Sequence, residues 1–255
     1  MATYKKRGSK KTSTSSVKSE VAQESTTAEV FETLDTTASK TEEWVVKYQN
    51  IILSSIGIVV IGVLGYLGYQ NYILEPKAKE AISELNQAQY YFELAVNTVN
   101  SDSLYKRALN GGEGKYGFLD IIENYKGTTA AKLATYSAGM AYLNIKDYQN
   151  AINYLDQFTS EDVLLGALAK GAIGDALVQM NQLDKAYNYY VDASMINNNM
   201  YSTPKYLYKA AMLGAKLGKN SQALVYLKRI EKEFKESQEA GLVEVQIAIL
   251  ETLMK

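Results

Sequence analysis

The feature that most constrains this chain is an uncharged run near its N-terminus. No charged residue occurs between Lys47 and Glu75, and residues 51–74 read IILSSIGIVVIGVLGYLGYQNYIL. A helix of this run measures about 36 Å at ~1.5 Å per residue, and the hydrocarbon layer of a bilayer is about 30 Å thick. The run is apolar on all sides, whereas a soluble core helix keeps a polar face. The sequence therefore predicts a transmembrane helix at residues 48–74.

The position of the run argues against a cleaved export signal and favours one orientation. An export signal lies within the first ~15–30 residues, and its apolar core is shorter than this one. Near the membrane, Lys40 and Lys47 on one side are balanced by Lys77 and Lys79 on the other. The distal basic cluster at residues 5–18 tips the prediction towards an N-terminus inside the cell and a C-terminus outside.

Residues 1–47 are predicted to be a cytoplasmic segment, disordered at first and then amphipathic. Thr26 and Glu29 form a capping-box pattern, which predicts a helix start, and Ser39 and Glu42 repeat this pattern before Trp44. Two interpretations stay open at this point. The segment is either a helix that lies on the inner membrane surface or on a partner, or a transiently helical linker.

Composition excludes several classes of chemistry. The chain has no histidine and no cysteine. These absences exclude histidine general bases, cysteine nucleophiles, thiolate metal sites and disulfides. A net charge of −1 gives no indication of nucleic-acid binding. We therefore expect a protein that is not an enzyme and that has no cofactor and no metal.

The part of the chain after the run has a helical period and an internal repeat. Residues 75–130 are predicted to be a degenerate first repeat with a glycine-rich insertion, and residues 131–236 to be three repeats. Aligned on an alanine, the three stretches follow one another at steps of 35 and 37 residues. Small and large residues recur at matching places, and we expect them to hold two crossing helices together: Gly139, Tyr142, Ala151 and Leu155; Gly174, Ala186 and Tyr190; Ala211, Ala223 and Leu227.

Residues 237–255 are predicted to be a C-terminal capping helix. Val243, Val245, Ile247 and Ile249 also alternate as in a strand, but a lone strand in a helical array has nothing to pair with. The helical spacing predicts a buried face made of Leu242, Val245, Ile249 and Leu253.

The repeat resembles the tetratricopeptide repeat, which has a period of ~34 residues. The predicted fold is therefore all-α, with one N-terminal transmembrane helix followed by a tetratricopeptide-like right-handed α-solenoid. The layout, together with GFLDIIENY, YSAGMAYLNIKDYQNAINYL and GDALVQMNQLDKA, resembles the YfgM-like membrane-anchored repeat proteins of Gram-negative bacteria. That resemblance covers about residues 28–255. It implies a single-pass type II protein of the inner membrane, with its C-terminal domain in the periplasm.

The resemblance also implies a function and partners. Family members are ancillary subunits of the SecYEG translocon and work with a membrane-anchored prolyl isomerase chaperone, so we expect a periplasmic scaffold that binds these proteins or exported polypeptides. A scaffold for another envelope complex, such as one in outer-membrane protein biogenesis, is the alternative. By repeat register, the concave side, called here the predicted binding face, consists of Tyr136, Met140, Leu143, Asn144, Asp175, Val178, Gln179, Lys205, Tyr208, Met212 and Lys216. Packing of these side chains on the terminal helix of the array itself is the alternative.

Overall fold

The computed structural model describes residues 26–159 and 162–254, with side chains from residue 44 onwards. These ranges consist of helices joined by turns and contain no strand, so the prediction of an all-α protein is confirmed. The extended pairing recorded there is a single bridge between Gly112 and Lys115.

The apolar run lies in a helix that is longer than the predicted span. Helix α1 comprises Thr26–Tyr69, is followed directly by a π-helical segment, Gln70–Leu74, and then by α2, Glu75–Val96. The second capping-box pattern, at Ser39 and Glu42, does not begin a new helix. No glycine or proline occurs from Thr26 to Ile56, and a serine followed by acidic residues is tolerated inside a helix that nothing interrupts.

The π-helical segment ends at Leu74, two residues before Pro76. Pro76 has no N–H, and its ring clashes with the carbonyl four residues earlier in a regular helix. Widening of the preceding turn, where the Glu75 N–H donates to the Gln70 carbonyl, relieves that clash. Pro76 stands in the first turn of α2, where its missing N–H costs no hydrogen bond within that helix.

Among residues 26–159 and 162–254, one continuous helical stretch is long and apolar enough to cross a membrane. Within Trp44–Val96, an 18-residue window has a mean hydropathy of 2.3, and none of it is buried. Ile58 and Ile61 are 71% and 72% exposed. Apolar surface of this extent is unfavourable in water and favourable in lipid.

The remaining helices are short and pack in chain order. They are α3 (Asp102–Asn110), α4 (Phe118–Asn124), α5 (Thr129–Asn144), α6 (Tyr148–Gln157), α7 (Val163–Gln179), α8 (Leu183–Met195), α9 (Ser202–Lys216), α10 (Asn220–Glu233) and α11 (Ala240–Leu253). From α5 onwards each helix contacts the next, and α5 contacts α7, α7 contacts α9, and α9 contacts α11. The predicted repeats thus correspond to three helical pairs, α5/α6, α7/α8 and α9/α10.

The same turn closes all three pairs. Each turn contains a residue in the left-handed backbone region, and these are Lys146, Asn181 and Gly218, with φ of 64°, 58° and 76°. In each turn the next residue donates its backbone N–H to the carbonyl five residues earlier. These bonds are Asp147 to Tyr142 (2.9 Å), Gln182 to Leu177 (2.8 Å) and Lys219 to Gly214 (2.8 Å). The three turns recur at steps of 35 and 37 residues, as the aligned alanines do.

Within each pair a small residue of the first helix meets a large residue of the second. A Cβ on Gly139 would lie 2.5 Å from Cγ of Leu155, and a Cβ on Gly174 would lie 2.6 Å from Cε1 of Tyr190. In the third pair Ala211 and Leu227 are both buried in one cluster. Ala151, Ala186 and Ala223 are fully buried, and Tyr142 stacks on Tyr154 with ring centroids 5.4 Å apart.

The C-terminal segment is a helix, but its buried face is not the predicted one. Val243, Ile247 and Leu250 are buried. The predicted set of Leu242, Val245, Ile249 and Leu253 is exposed by 53%, 65%, 47% and 68%. Both sets are apolar and both have helical spacing, so the hydrophobic pattern of α11 alone could not decide which one contacts α10.

Candidate protein-binding face

The first-pair residues of the predicted binding face are more buried than their register suggested. Tyr136, Met140 and Leu143 are half-buried and pack against the hydrophobic cluster formed mainly by α7, α8 and α9. The ring of Tyr136 lies 5.2 Å from that of Phe158. Asn144 is exposed, and its side-chain N–H donates to the Met140 carbonyl at 2.8 Å. The three apolar side chains therefore join the first pair to the second.

Asp175 is the centre of a polar cluster between the second and third pairs. The Tyr190 hydroxyl donates to a carboxylate oxygen of Asp175 at 2.6 Å. The Lys209 ammonium donates to both carboxylate oxygens, at 2.6 and 2.8 Å. The ring of Tyr190 also stacks on that of Tyr206, with centroids 6.4 Å apart and planes 14° from parallel.

Burial keeps the hydroxyls of this cluster protonated. Burial, followed by the hydrogen bond to Asp175, raises the pKa of Tyr190 well above its ordinary value. Burial and the charge of Asp175 also raise the pKa of Tyr206. Tyr190 therefore remains a hydrogen-bond donor at every physiological pH, so the Asp175 carboxylate keeps this partner.

An open groove brings together residues of the first two pairs. It has a volume of about 480 Å³ and is lined by Leu143, Asn144, Lys146, Tyr148, Asp175, Val178, Gln179 and Tyr190. Five of these belong to the predicted binding face. The lining combines apolar side chains with amide, hydroxyl, ammonium and carboxylate groups, so it can satisfy both the donors and the acceptors of a peptide backbone. We call this surface the inter-pair groove.

The third-pair residues of the predicted binding face lie outside the inter-pair groove. Lys205 and Lys216 are exposed, and Met212 is 37% exposed. Tyr208 is half-buried and packs against the cluster that contains α9, α10 and α11. The predicted binding face is therefore divided between α5 and α7, whose residues line the inter-pair groove, and α9, whose residues lie outside it.

Three residues of this region were not predicted from the sequence. Lys146 and Tyr148 line the inter-pair groove from the turn after α5 and from the start of α6. Lys209 lies 34 residues after Asp175, close to one repeat period. The sequence could have predicted the pairing of Lys209 with Asp175, because residues one period apart occupy equivalent positions on helices of successive pairs, and these helices are in contact.

Among residues 26–159 and 162–254, no three His, Cys, Asp or Glu side chains form a group that could hold a metal ion. No protein-family model matches the chain, and neither does any curated protein. The resemblance to YfgM-like proteins therefore rests on the layout of the chain and on its repeat motifs.

Proposed function

We propose that this chain is a membrane-tethered scaffold that binds polypeptides in the bacterial periplasm. Residues 48–74 anchor it in the inner membrane as a single-pass type II protein. The helical pairs stack as a tetratricopeptide-like right-handed solenoid on the periplasmic side. By the resemblance to YfgM-like proteins, the scaffold assists the SecYEG translocon and its membrane-anchored prolyl isomerase chaperone during protein export.

The inter-pair groove is the observation that carries the proposal. Asn144, Gln179 and Tyr148 place amide and hydroxyl groups around an opening that Leu143 and Val178 line with apolar surface. An extended polypeptide needs this combination, because its backbone groups require hydrogen-bond partners while its side chains require adaptable apolar contact.

The membrane anchor gives the groove its location. An 18-residue window of mean hydropathy 2.3 without a buried residue supports insertion into lipid. A tether holds the binding face close to the membrane and thereby raises its effective concentration near polypeptides that emerge there.

Photocrosslinking in intact membranes tests this function. A benzophenone amino acid replaces Gln179 in the inter-pair groove, Met212 on α9, or Asn188, which is exposed on α8 and does not line the groove. We expect Gln179 to crosslink translocon subunits, the chaperone or exported chains, and Asn188 to give none of these. Identical products from Gln179 and Asn188 would contradict the proposal. Recovery of outer-membrane biogenesis components from Gln179 alone would favour the alternative scaffold.

A further inference from the structure

Helix α11 is the last helix among the described residues, and it has apolar residues on two sides. One side is buried against α10. The other side is the outer face, which we define as Leu242, Val245, Ala248, Ile249 and Leu253. All five side chains are exposed. No helix among the described residues covers them.

The repeat register identifies α11 as the first helix of a fourth pair. Its buried residues Val243, Ile247 and Leu250 each lie 37 residues after a buried residue of α9, namely Tyr206, Ala210 and Leu213. Helix α11 contacts both α9 and α10, as α9 contacts both α7 and α8. In burial pattern and in contacts, α11 therefore repeats α9.

The side of α11 that would face the second helix of a fourth pair is uncovered. In α9 that side contains Leu207 and Ala211, which are buried with residues of α10. The corresponding residues of α11, again 37 positions later, are Glu244 and Ala248, and both are exposed. Ala248 thus continues the series of small residues Gly139, Gly174 and Ala211. Gly139 and Gly174 each lie against a large side chain of the second helix of the pair, and Ala211 shares a buried cluster with Leu227 of α10.

We propose that the outer face of α11 binds an amphipathic α-helix of a partner protein, and that this helix carries basic residues beside its apolar stripe. The partner helix packs against α11 at the position that the second helix of a fourth pair would occupy. A large apolar side chain of the partner contacts Ala248. Val245 and Ile249 supply the adjoining apolar contacts, at the spacing that a helix recognises.

The charge of α11 specifies the basic flank of the partner. The helix contains Glu244 and Glu251 and no lysine or arginine. Glu251 already lies 2.6 Å from the ammonium of Lys228. Glu244 lies beside the outer face and forms no ion pair with any described residue, so its carboxylate is available to a cation of the partner. A second copy of α11 has no lysine or arginine of its own to pair with Glu244, and an anionic lipid headgroup offers no cation either.

Site-specific alkylation tests this proposal on the full-length chain in nanodiscs, because the protein has no native cysteine. The two target variants are Val245→Cys on the outer face and Val225→Cys on α10, where the native valine is 57% exposed. The probe is an 18-residue helical peptide of leucine, lysine and alanine, with leucines at one face, lysines beside them and a bromoacetyl group on the apolar stripe. A matched peptide has glutamate in place of lysine.

We expect the lysine peptide to alkylate Val245→Cys at least ten times faster than Val225→Cys. Partition of the peptide into the lipid would not produce this preference. The glutamate peptide should lose the preference, and so should the lysine peptide when Ala248→Arg is added to Val245→Cys. Circular dichroism checks that each variant is folded.

Three results would overturn the proposal. Equal rates at the two cysteines would show that the outer face has no affinity for a helix. Equal preference with both peptides would remove the role of Glu244. Faster disulfide formation between two Val245→Cys chains than alkylation by the peptide would identify a second copy as the occupant. None of these results bears on crosslinking from Gln179, so this proposal and the proposed function fail separately.

Discussion

The substitution Gly174→Ala tests the close approach of α7 and α8. An added Cβ would lie 2.6 and 2.7 Å from two carbons of the Tyr190 ring. That ring is 5% exposed, its hydroxyl is bonded to Asp175, and one of its faces stacks on Tyr206. The ring cannot move aside without losing these contacts. Forcing a side chain into such a site costs about 1–3 kcal/mol.

A second glycine of the same helix provides the control. A Cβ on Gly166 would meet a single atom, Cδ1 of Ile196, at an ordinary contact distance of 3.9 Å. Each glycine-to-alanine change in a helix gains about 1 kcal/mol in helix propensity, so this gain cancels between the two variants. Gly174→Ala should therefore be less stable than Gly166→Ala by about 1–3 kcal/mol. For a domain of this size, each kcal/mol corresponds to roughly 2–4 °C in Tm.

Thermal unfolding of the full-length variants in detergent, followed by circular dichroism, measures the difference. The double variant Gly174→Ala/Tyr190→Leu recreates the alanine and leucine that the third pair uses at Ala211 and Leu227. It should be more stable than the sum of its single changes by at least about 1 kcal/mol. Equal melting temperatures for Gly174→Ala and Gly166→Ala would refute the close crossing.

Three further predictions concern the polar cluster and α11. Because burial and the bond to Asp175 raise the pKa of Tyr190, the stability from this residue is complete below pH ~10, where the unfolded tyrosine is neutral, and is lost as the pH rises further. Tyr190→Phe should therefore flatten the fall in Tm between pH 10 and 11; an unchanged slope would contradict this. Asp175→Asn should lower stability by no more than about 1 kcal/mol, because the ion pair with Lys209 is partly exposed and asparagine still accepts from Tyr190; a larger loss in a denaturant titration would require another role for the carboxylate. Val243→Asp should lower the free energy of unfolding by several kcal/mol because Val243 is buried, whereas Val245→Asp should change it by less than about 0.5 kcal/mol because Val245 is exposed. A larger loss for Val245→Asp than for Val243→Asp would instead support the buried face of α11 that the sequence predicted.

The sequence predicted the helical pairs because their determinants are local and periodic. Small residues such as Gly139 and Gly174 mark the close crossings, and the alanines of the second helices recur at steps of 35 and 37 residues. Because these residues recur at one period, the assignment of each helical pair is supported by the other two pairs.

Side-chain burial was harder to predict, because it depends on which neighbouring helix covers each face. In α11 two apolar sets have helical spacing, and the contacts with α9 and α10 select Val243 rather than Val245. Tyr136 and Met140 occupy register positions that are open in an idealised array, but here they fill the space beside Phe158 and the second pair. Lys146 enters the inter-pair groove from a turn, which no helical period describes.

Labelling of single cysteines by a membrane-impermeant maleimide in spheroplasts tests whether residues 48–74 cross the membrane with the C-terminal domain outside. The native chain has no cysteine, so each introduced thiol reports alone. The variants are Ser15→Cys before the apolar run, Gly62→Cys within it, and Lys235→Cys at an exposed site after α10. We expect Lys235→Cys to react in intact spheroplasts, Ser15→Cys to react only after permeabilisation, and Gly62→Cys to react in neither case. Ready labelling of Gly62→Cys, or labelling of Lys235→Cys only after permeabilisation, would contradict it.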